Sequence, residues 1–271
     1  MKRIHPRIPD CDPTPQAFRL NKRKVNLDRF IALYDRASPS NDVDYAFGPL
    51  GYNFSSKSGW DRFYEQDDEN SVFEWHSDVK NEDAVEECLR RCGWCSSFLL
   101  VGTGNSMLPR VLYDAVNDRR NNREDYNDEC GQIEGKEDHG FRVTCLDYSS
   151  VCMQNLEKAH SSVCPNMDFV VGDATELPQV FENNSFDVVI DKGLIDALMC
   201  SEGWDKPVSD VLDGIGSILS KNGILMLVSF KLSDSTKEFL ESSSTHAGFS
   251  WEFDIDLGFS DRVSASIATK S

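Results

Sequence analysis

The chain has 271 residues, enough for one domain with an extension, and a formal net charge of −18 that argues against nonspecific binding to nucleic acid or acidic membranes. No apolar run approaches the roughly 18 residues of a membrane span, and no signal-peptide core is present. Nine cysteines, odd in number and scattered among apolar segments, fit free thiols in a reducing compartment.

Residues 1–57 show little periodicity and are expected to form an N-terminal extension, partly disordered, ahead of a domain over 58–271. The first 30 residues carry eight Lys/Arg against three Asp/Glu. A mitochondrial presequence is therefore an alternative to a cytoplasmic location, although Asp10, Asp12, Pro6, Pro9, Pro13 and Pro15 interrupt an amphipathic helix. Trp60, Phe63 and Tyr64 share one face of a predicted helical turn. Phe73-Glu74-Trp75 follows a polar loop.

A helix is predicted from Asn81 or Asp83 through Arg91, with Val85, Cys88, Leu89 and Cys92 inward. Cys88, Cys92 and Cys95 have the C-x3-C-x2-C spacing of an iron–sulfur loop. Cys88 and Cys92 stand i, i+4 on a predicted helix, however, which favours buried thiols, and no metal is expected.

The apolar run Phe98-Leu99-Leu100-Val101 suits a central parallel strand buried on both faces. Gly102-Thr103-Gly104-Asn105-Ser106 turns the chain, and Met107 to Ala115 has helix spacing. Strand, glycine turn and helix open a nucleotide-binding α/β unit. Residues 117–140 lack an apolar pattern and are expected to be a surface insertion. Arg142 to Leu146 is a second strand ending at Asp147, where such folds place an acid for ribose hydroxyls. The insertion explains why Asp147 lies about twenty residues later than usual.

Ser149 or Ser150 caps the next helix, and Met167 to Val171 is a third strand ending in Gly172-Asp173-Ala174. A fourth strand, Val188-Val189-Ile190, ends in Asp191-Lys192-Gly193, followed by a helix carrying Asp196. After a turn at Trp204 to Pro207 comes a helix from Val208 to Leu219. Lys221-Asn222-Gly223 is a stop before a fifth strand, Ile224 to Phe230. Thr236 to Leu240 starts a further helix. Alternation over Trp251 to Leu257 and Arg262 to Ala268 predicts a terminal antiparallel hairpin. The fold class is α/β: a Rossmann-like, seven-stranded mixed sheet with helices on both faces.

A glycine loop and acids at three successive strand ends, Asp147, Asp173 and Asp191, converge on one crevice. The third glycine of GxGxxG is absent, and an acidic crevice suits a cationic sulfonium better than a pyrophosphate. The pattern resembles class I methyltransferases that use S-adenosylmethionine. WDRFY (60–64), FEW (73–75), VGTGNS (101–106), LDYSSV (146–151), GDATEL (172–177) and SFDVVIDKGLIDAL (185–198) are together similar to one methyltransferase-like family. Its members include lysine methyltransferases of translation elongation factor 1-alpha and of citrate synthase.

The resemblance covers roughly 58–230 and implies that S-adenosylmethionine is held by Trp60, Tyr64, Trp75, Gly102, Gly104, Asp147, Tyr148, Asp173, Ala174 and Lys192. Thr103 and Leu194 depart from the family's usual Cys and Thr, and the match is poor after residue 231. Asp191, or else Asp196, is expected to orient a target amine and assist its deprotonation. The implied function is protein-lysine N-methylation, on elongation factor 1-alpha or a similar abundant protein, by a monomer with no nucleic-acid or membrane partner. The alternatives are citrate synthase as substrate, a small-molecule acceptor, or a cofactor-binding interaction protein without catalysis.

Overall fold

The structure is a computed structural model that describes residues 56–65, 72–92, 97–121, 140–257 and 262–271. The expected extension lies almost wholly outside the described residues, as does most of the expected insertion. In chain order the elements are α1 (Lys57–Glu65), α2 (Asn81–Cys92), β1 (Ser97–Val101), α3 (Leu108–Asn121), β2 (Arg142–Asp147), α4 (Ser150–His160) and β3 (Met167–Val171). A 3-10 turn (Ala174–Glu176) and α5 (Leu177–Val180) lead to β4 (Phe186–Lys192), α6 (Leu194–Met199), α7 (Asp205–Ile218) and β5 (Leu219–Phe230). The chain closes with α8 (Asp234–Ser243), β6 (Phe249–Ile255) and β7 (Val263–Lys270).

The strands form one seven-stranded sheet in the order β3-β2-β1-β4-β5-β7-β6. Strands β1 to β5 are parallel, and β7 runs antiparallel to both β5 and β6. Alternate residues of the central strands enter opposite cores, as the two-residue side-chain period requires. Phe98, Leu100, Val188 and Ile190 pack with Cys88, Leu112 and Met153. Leu99, Val101, Val189 and Leu225 pack with Ile195, Leu212 and Ile215 on the other side. This double burial explains the unbroken apolar run in β1. The order reverses between β1 and β4, so a crevice opens at their carboxyl ends.

Of the two candidate caps for α4, Ser149 is the one used, its side chain accepting from the Cys152 amide, while Ser150 is the first helical residue. Three boundaries differ from expectation. Helix α3 continues to Asn121 because Val116 extends the buried stripe of Leu108 and Leu112, and Arg119 pairs with Glu86 at 2.8 Å. The expected insertion therefore starts no earlier than residue 122. Strand β5 begins at Leu219, pairs with Phe186, and resumes at Ile224 after a register irregularity that contains Asn222 at φ 63°. The expected stop is thus an interruption within a strand. Helix α7 begins at Asp205, because Pro207 in its first turn replaces an amide that has no intrahelical acceptor.

Candidate active site

A cavity of about 360 Å³ sits at the crevice, within the size range of small-molecule sites. All ten residues expected to hold a cofactor line it: Trp60, Tyr64, Trp75, Gly102, Gly104, Asp147, Tyr148, Asp173, Ala174 and Lys192. Leu194, Ala197, Leu198 and Pro207 complete an apolar side.

The aromatic wall arises from helix spacing and one neighbouring segment. Trp60 and Tyr64, one turn apart on α1, stack at 5.9 Å with 23° between planes. Trp75 lies 6.0 Å from Trp60, while Phe63 and Phe73 pack edge-on at 5.6 Å. Burial raises the Tyr64 hydroxyl well above its ordinary pKa, so it stays protonated.

Opposite this wall, Gly102 and Gly104 adopt left-handed φ values of 59° and 56°. A Cβ on Gly102 would stand 2.8 Å from Leu194 Cβ, and one on Gly104 would stand 3.0 Å from Tyr64 Oη. Only glycine meets both demands. The loop is tied to β2 where the Thr103 amide donates to the Leu146 carbonyl at 3.0 Å. Asp147 extends this tie: its Oδ2 accepts from the Gly104 amide at 3.0 Å and its Oδ1 from the Ser149 amide at 2.9 Å. Burial pushes Asp147 up to about 6, against the opposing pull of the two amides. Ser149 Oγ donates to Asp61 Oδ1 at 2.6 Å, which docks α1 against the same corner. Asp173 caps the 3-10 turn, its Oδ1 accepting from the Thr175 amide at 2.9 Å.

Lys192, which the resemblance assigns to the cofactor, lies at the end of β4. Its side chain is buried, 5% exposed, and Nζ donates to Glu74 Oε2 at 2.9 Å and Asn81 Oδ1 at 2.7 Å. It lines the cavity as part of an internal network centred on Glu74. Glu74 Oε1 accepts from the Met107 amide at 2.6 Å and from Asn81 Nδ2 at 3.0 Å, and Oε2 accepts from Ser106 Oγ at 2.8 Å. One carboxylate thus joins the aromatic segment, the glycine loop, α2 and the end of β4. Sequence reasoning missed it; a charged residue between two buried-type aromatics, Phe73 and Trp75, was the available signal.

Neither of the two expected catalytic acids lines the cavity. Asp191 is fully buried and does not line the cavity. Its Oδ1 accepts from the Leu194 amide at 2.7 Å and Oδ2 from the Ile195 amide at 3.0 Å, capping α6 where Gly193 has no side chain to do so. Burial raises it to about 7. What separates Asp191 from Asp147, which also accepts one amide on each oxygen, is its place: it lies behind the cavity wall, where it positions the Lys192–Gly193 turn. Asp196 is 3% exposed and also faces away, with Oδ2 2.7 Å from His76 Nε2 and Oδ1 accepting from the Phe230 amide at 3.4 Å. The His76 contact spans 120 positions, and no local pattern announced it. Cys88 is a fully buried core thiol; Cys95 lies outside the described residues.

The cavity can be tested against a sulfonium nucleoside. Among the described residues Lys192 is the one basic residue in the lining, and its ammonium is paired with Glu74 and Asn81. A buried carboxylate at the β2 end, backbone left bare by glycine, and an aromatic wall suit ribose hydroxyls and a cation.

The comparisons agree. A family described as "Methyltransferase domain" matches residues 129–261. The eEF1A lysine and N-terminal methyltransferase of Xenopus laevis is 27% identical over 185 residues, covering 65% of this chain and 22% of the relative. The protein of that name in Homo sapiens is 25% identical over 186 residues, covering 65% and 22%. The chain thus spans about a fifth of the length of these relatives. The mitochondrial citrate synthase-lysine N-methyltransferase of Danio rerio is 25% identical over 207 residues, covering 71% of this chain and 73% of the relative. Among solved structures, the CurJ carbon methyltransferase shares the fold with a TM-score of 0.50 at 11% identity, covering 84% of this chain and 61% of that one. The chain is thus similar to methyltransferases, in sequence over residues 129–261 and in fold over most of its length, and S-adenosylmethionine is the cofactor that this similarity implies.

Proposed function

We propose that the chain is a protein-lysine N-methyltransferase whose acceptor is elongation factor 1-alpha or a similarly abundant protein, and that it works as a cytoplasmic monomer. The observation that carries this reading is the lining of the cavity by all ten residues that the lysine-methyltransferase resemblance assigns. The printed names of the relatives support it, since both groups are named for lysine methylation.

When bound, S-adenosylmethionine supplies a methyl group on a sulfonium centre. The chain's part is to hold and orient it, which accounts for most of the acceleration in such a displacement. Asp147 accepts from the ribose hydroxyls on the lone pairs that the Gly104 and Ser149 amides leave open. Asp173 and the Ala174 amide address the adenine edge. Trp60, Tyr64 and Trp75 exclude water and present π-faces to the positive charge. Glu74 and Lys192 keep the aromatic segment and the glycine loop in register. Asp191 sets the turn after β4 without touching the acceptor. The target amine, with a reference pKa near 10.4, loses its proton before transfer, so turnover rises with pH through the neutral range.

Incubation with methyl-labelled S-adenosylmethionine and cell extract tests the proposal. Label on lysine side chains of a protein band supports it. Binding of S-adenosylhomocysteine with no labelled protein contradicts it and favours the non-catalytic alternative.

A further inference from the structure

Behind the Trp75 side of the cavity lies a polar pair that the cofactor contacts do not use. His76 and Asp196 are 0% and 3% exposed, and His76 Nε2 stands 2.7 Å from Asp196 Oδ2. The short contact places Nε2–H on the carboxylate. His76 Nδ1 is buried with no hydrogen-bond partner among the described residues. The backbone of His76 is left-handed, φ 53°, which a non-glycine residue adopts at a cost. Its ring packs edge-on against Phe230 at 4.6 Å.

These costly features meet one residue from the cavity wall on each side. Trp75 precedes His76, and both it and Gly193 line the cavity. A Cβ on Gly193 would stand 3.3 Å from Trp75 Cβ and 3.5 Å from His76 Nε2. The pair therefore stands directly behind the contact between the aromatic segment and the turn that follows β4. Strain and an orphaned polar atom persist where the surrounding structure holds them in place, and such features gather at ligand sites.

We propose that His76 and Asp196 are a positioning pair for cofactor binding, their hydrogen bond clamping Trp75 against the Lys192–Gly193 turn so that the cavity is pre-formed. This rests on the reading of the cavity as the S-adenosylmethionine site. Neither side chain lines the cavity, so both act through Trp75 and Gly193. A wall correctly placed one time in about ten weakens apparent affinity about tenfold.

Calorimetry with S-adenosylhomocysteine tests the pair without an identified acceptor. His76→Asn with Asp196→Asn keeps a residue that tolerates the left-handed backbone, loses the reach across, and leaves no lone buried charge. This double variant is expected to melt at a lower temperature, because the smaller side chain leaves a void beside Phe230, and to bind about tenfold more weakly at a temperature where it is still fully folded. His76→Gln places an amide N–H near the Nε2 position and is expected to retain affinity within about twofold. Unchanged affinity in the double variant overturns the pair alone. Equal loss in His76→Gln also overturns it, assigning the effect to ring packing on Phe230. Absence of binding in the wild-type chain overturns the site reading and the pair together.

A measurement on the wild-type chain covers the case in which the double variant does not fold. Coupling is reciprocal, so the ligand must protect the pair as the pair favours the ligand. The His76 Nε2–H should exchange with solvent about tenfold more slowly when S-adenosylhomocysteine is bound. An unchanged exchange rate overturns the proposal.

Discussion

Protonating Asp147 should weaken cofactor binding within an accessible pH range. Its two oxygens are already held by the Gly104 and Ser149 amides at 3.0 and 2.9 Å. A proton must therefore take a lone pair facing away from those amides, which is the side open to ribose hydroxyls. Burial places this carboxyl at about 6. If only the ionised form binds fully, about nine-tenths of the sites are blocked near pH 5 and few near pH 7.5, an effect of about tenfold or ~1.4 kcal/mol. Calorimetry with S-adenosylhomocysteine across that range measures it. Asp191 titrates nearby, at about 7, so the control is Asp147→Asn, in which the pH dependence should disappear. A dissociation constant that stays flat in the wild-type chain, or a dependence that survives in Asp147→Asn, refutes the assignment of Asp147 to the cofactor.

Glu74→Ala should cost about 3 kcal/mol of folding stability, the low end for breaking a buried pair, because Lys192 loses its carboxylate. Urea denaturation checks this, and Glu74→Gln with Lys192→Met should recover part of the loss. Burial raises Asp191 to about 7 from its reference 3.8, so its contribution to stability is complete below about pH 4 and is lost as pH rises through 7. The advantage of the wild-type chain over Asp191→Asn in urea midpoint should accordingly shrink between about pH 4 and pH 7 and stay level above that. Replacing residues 122–139 with a short Gly/Ser linker should shift the melting temperature by no more than a few degrees. Beginning the cut at 117 should cost more, because it removes the end of α3 and the Arg119–Glu86 pair.

The sheet was legible because its strands are buried on both faces and carry continuous apolar runs, as in Phe98 to Val101 and Val188 to Ile190. The cofactor side was legible for a related reason: strand ends, a glycine loop and acids at fixed intervals follow from topology alone. What the sequence did not disclose is how each acid is used. Asp147 and Asp191 occupy equivalent strand ends, yet one lines the cavity and the other caps α6, a difference set by Gly193 and the close return of the chain. Glu74 and His76 were hidden because their partners, Lys192 and Asp196, stand 118 and 120 positions away. The length of α3 was misjudged because its last turns bury only Val116 and are otherwise polar.

The most direct test of lysine methylation is peptide-level mass spectrometry of purified elongation factor 1-alpha and citrate synthase, each incubated with this chain and S-adenosylmethionine. The account predicts methyl increments on lysine side chains of elongation factor 1-alpha, lost in parallel with cofactor binding in Asp147→Asn. Methylation of citrate synthase alone would contradict the proposed acceptor. Methylation of neither protein, by a chain that binds the cofactor and labels no protein in extract, would contradict the lysine-methyltransferase reading itself.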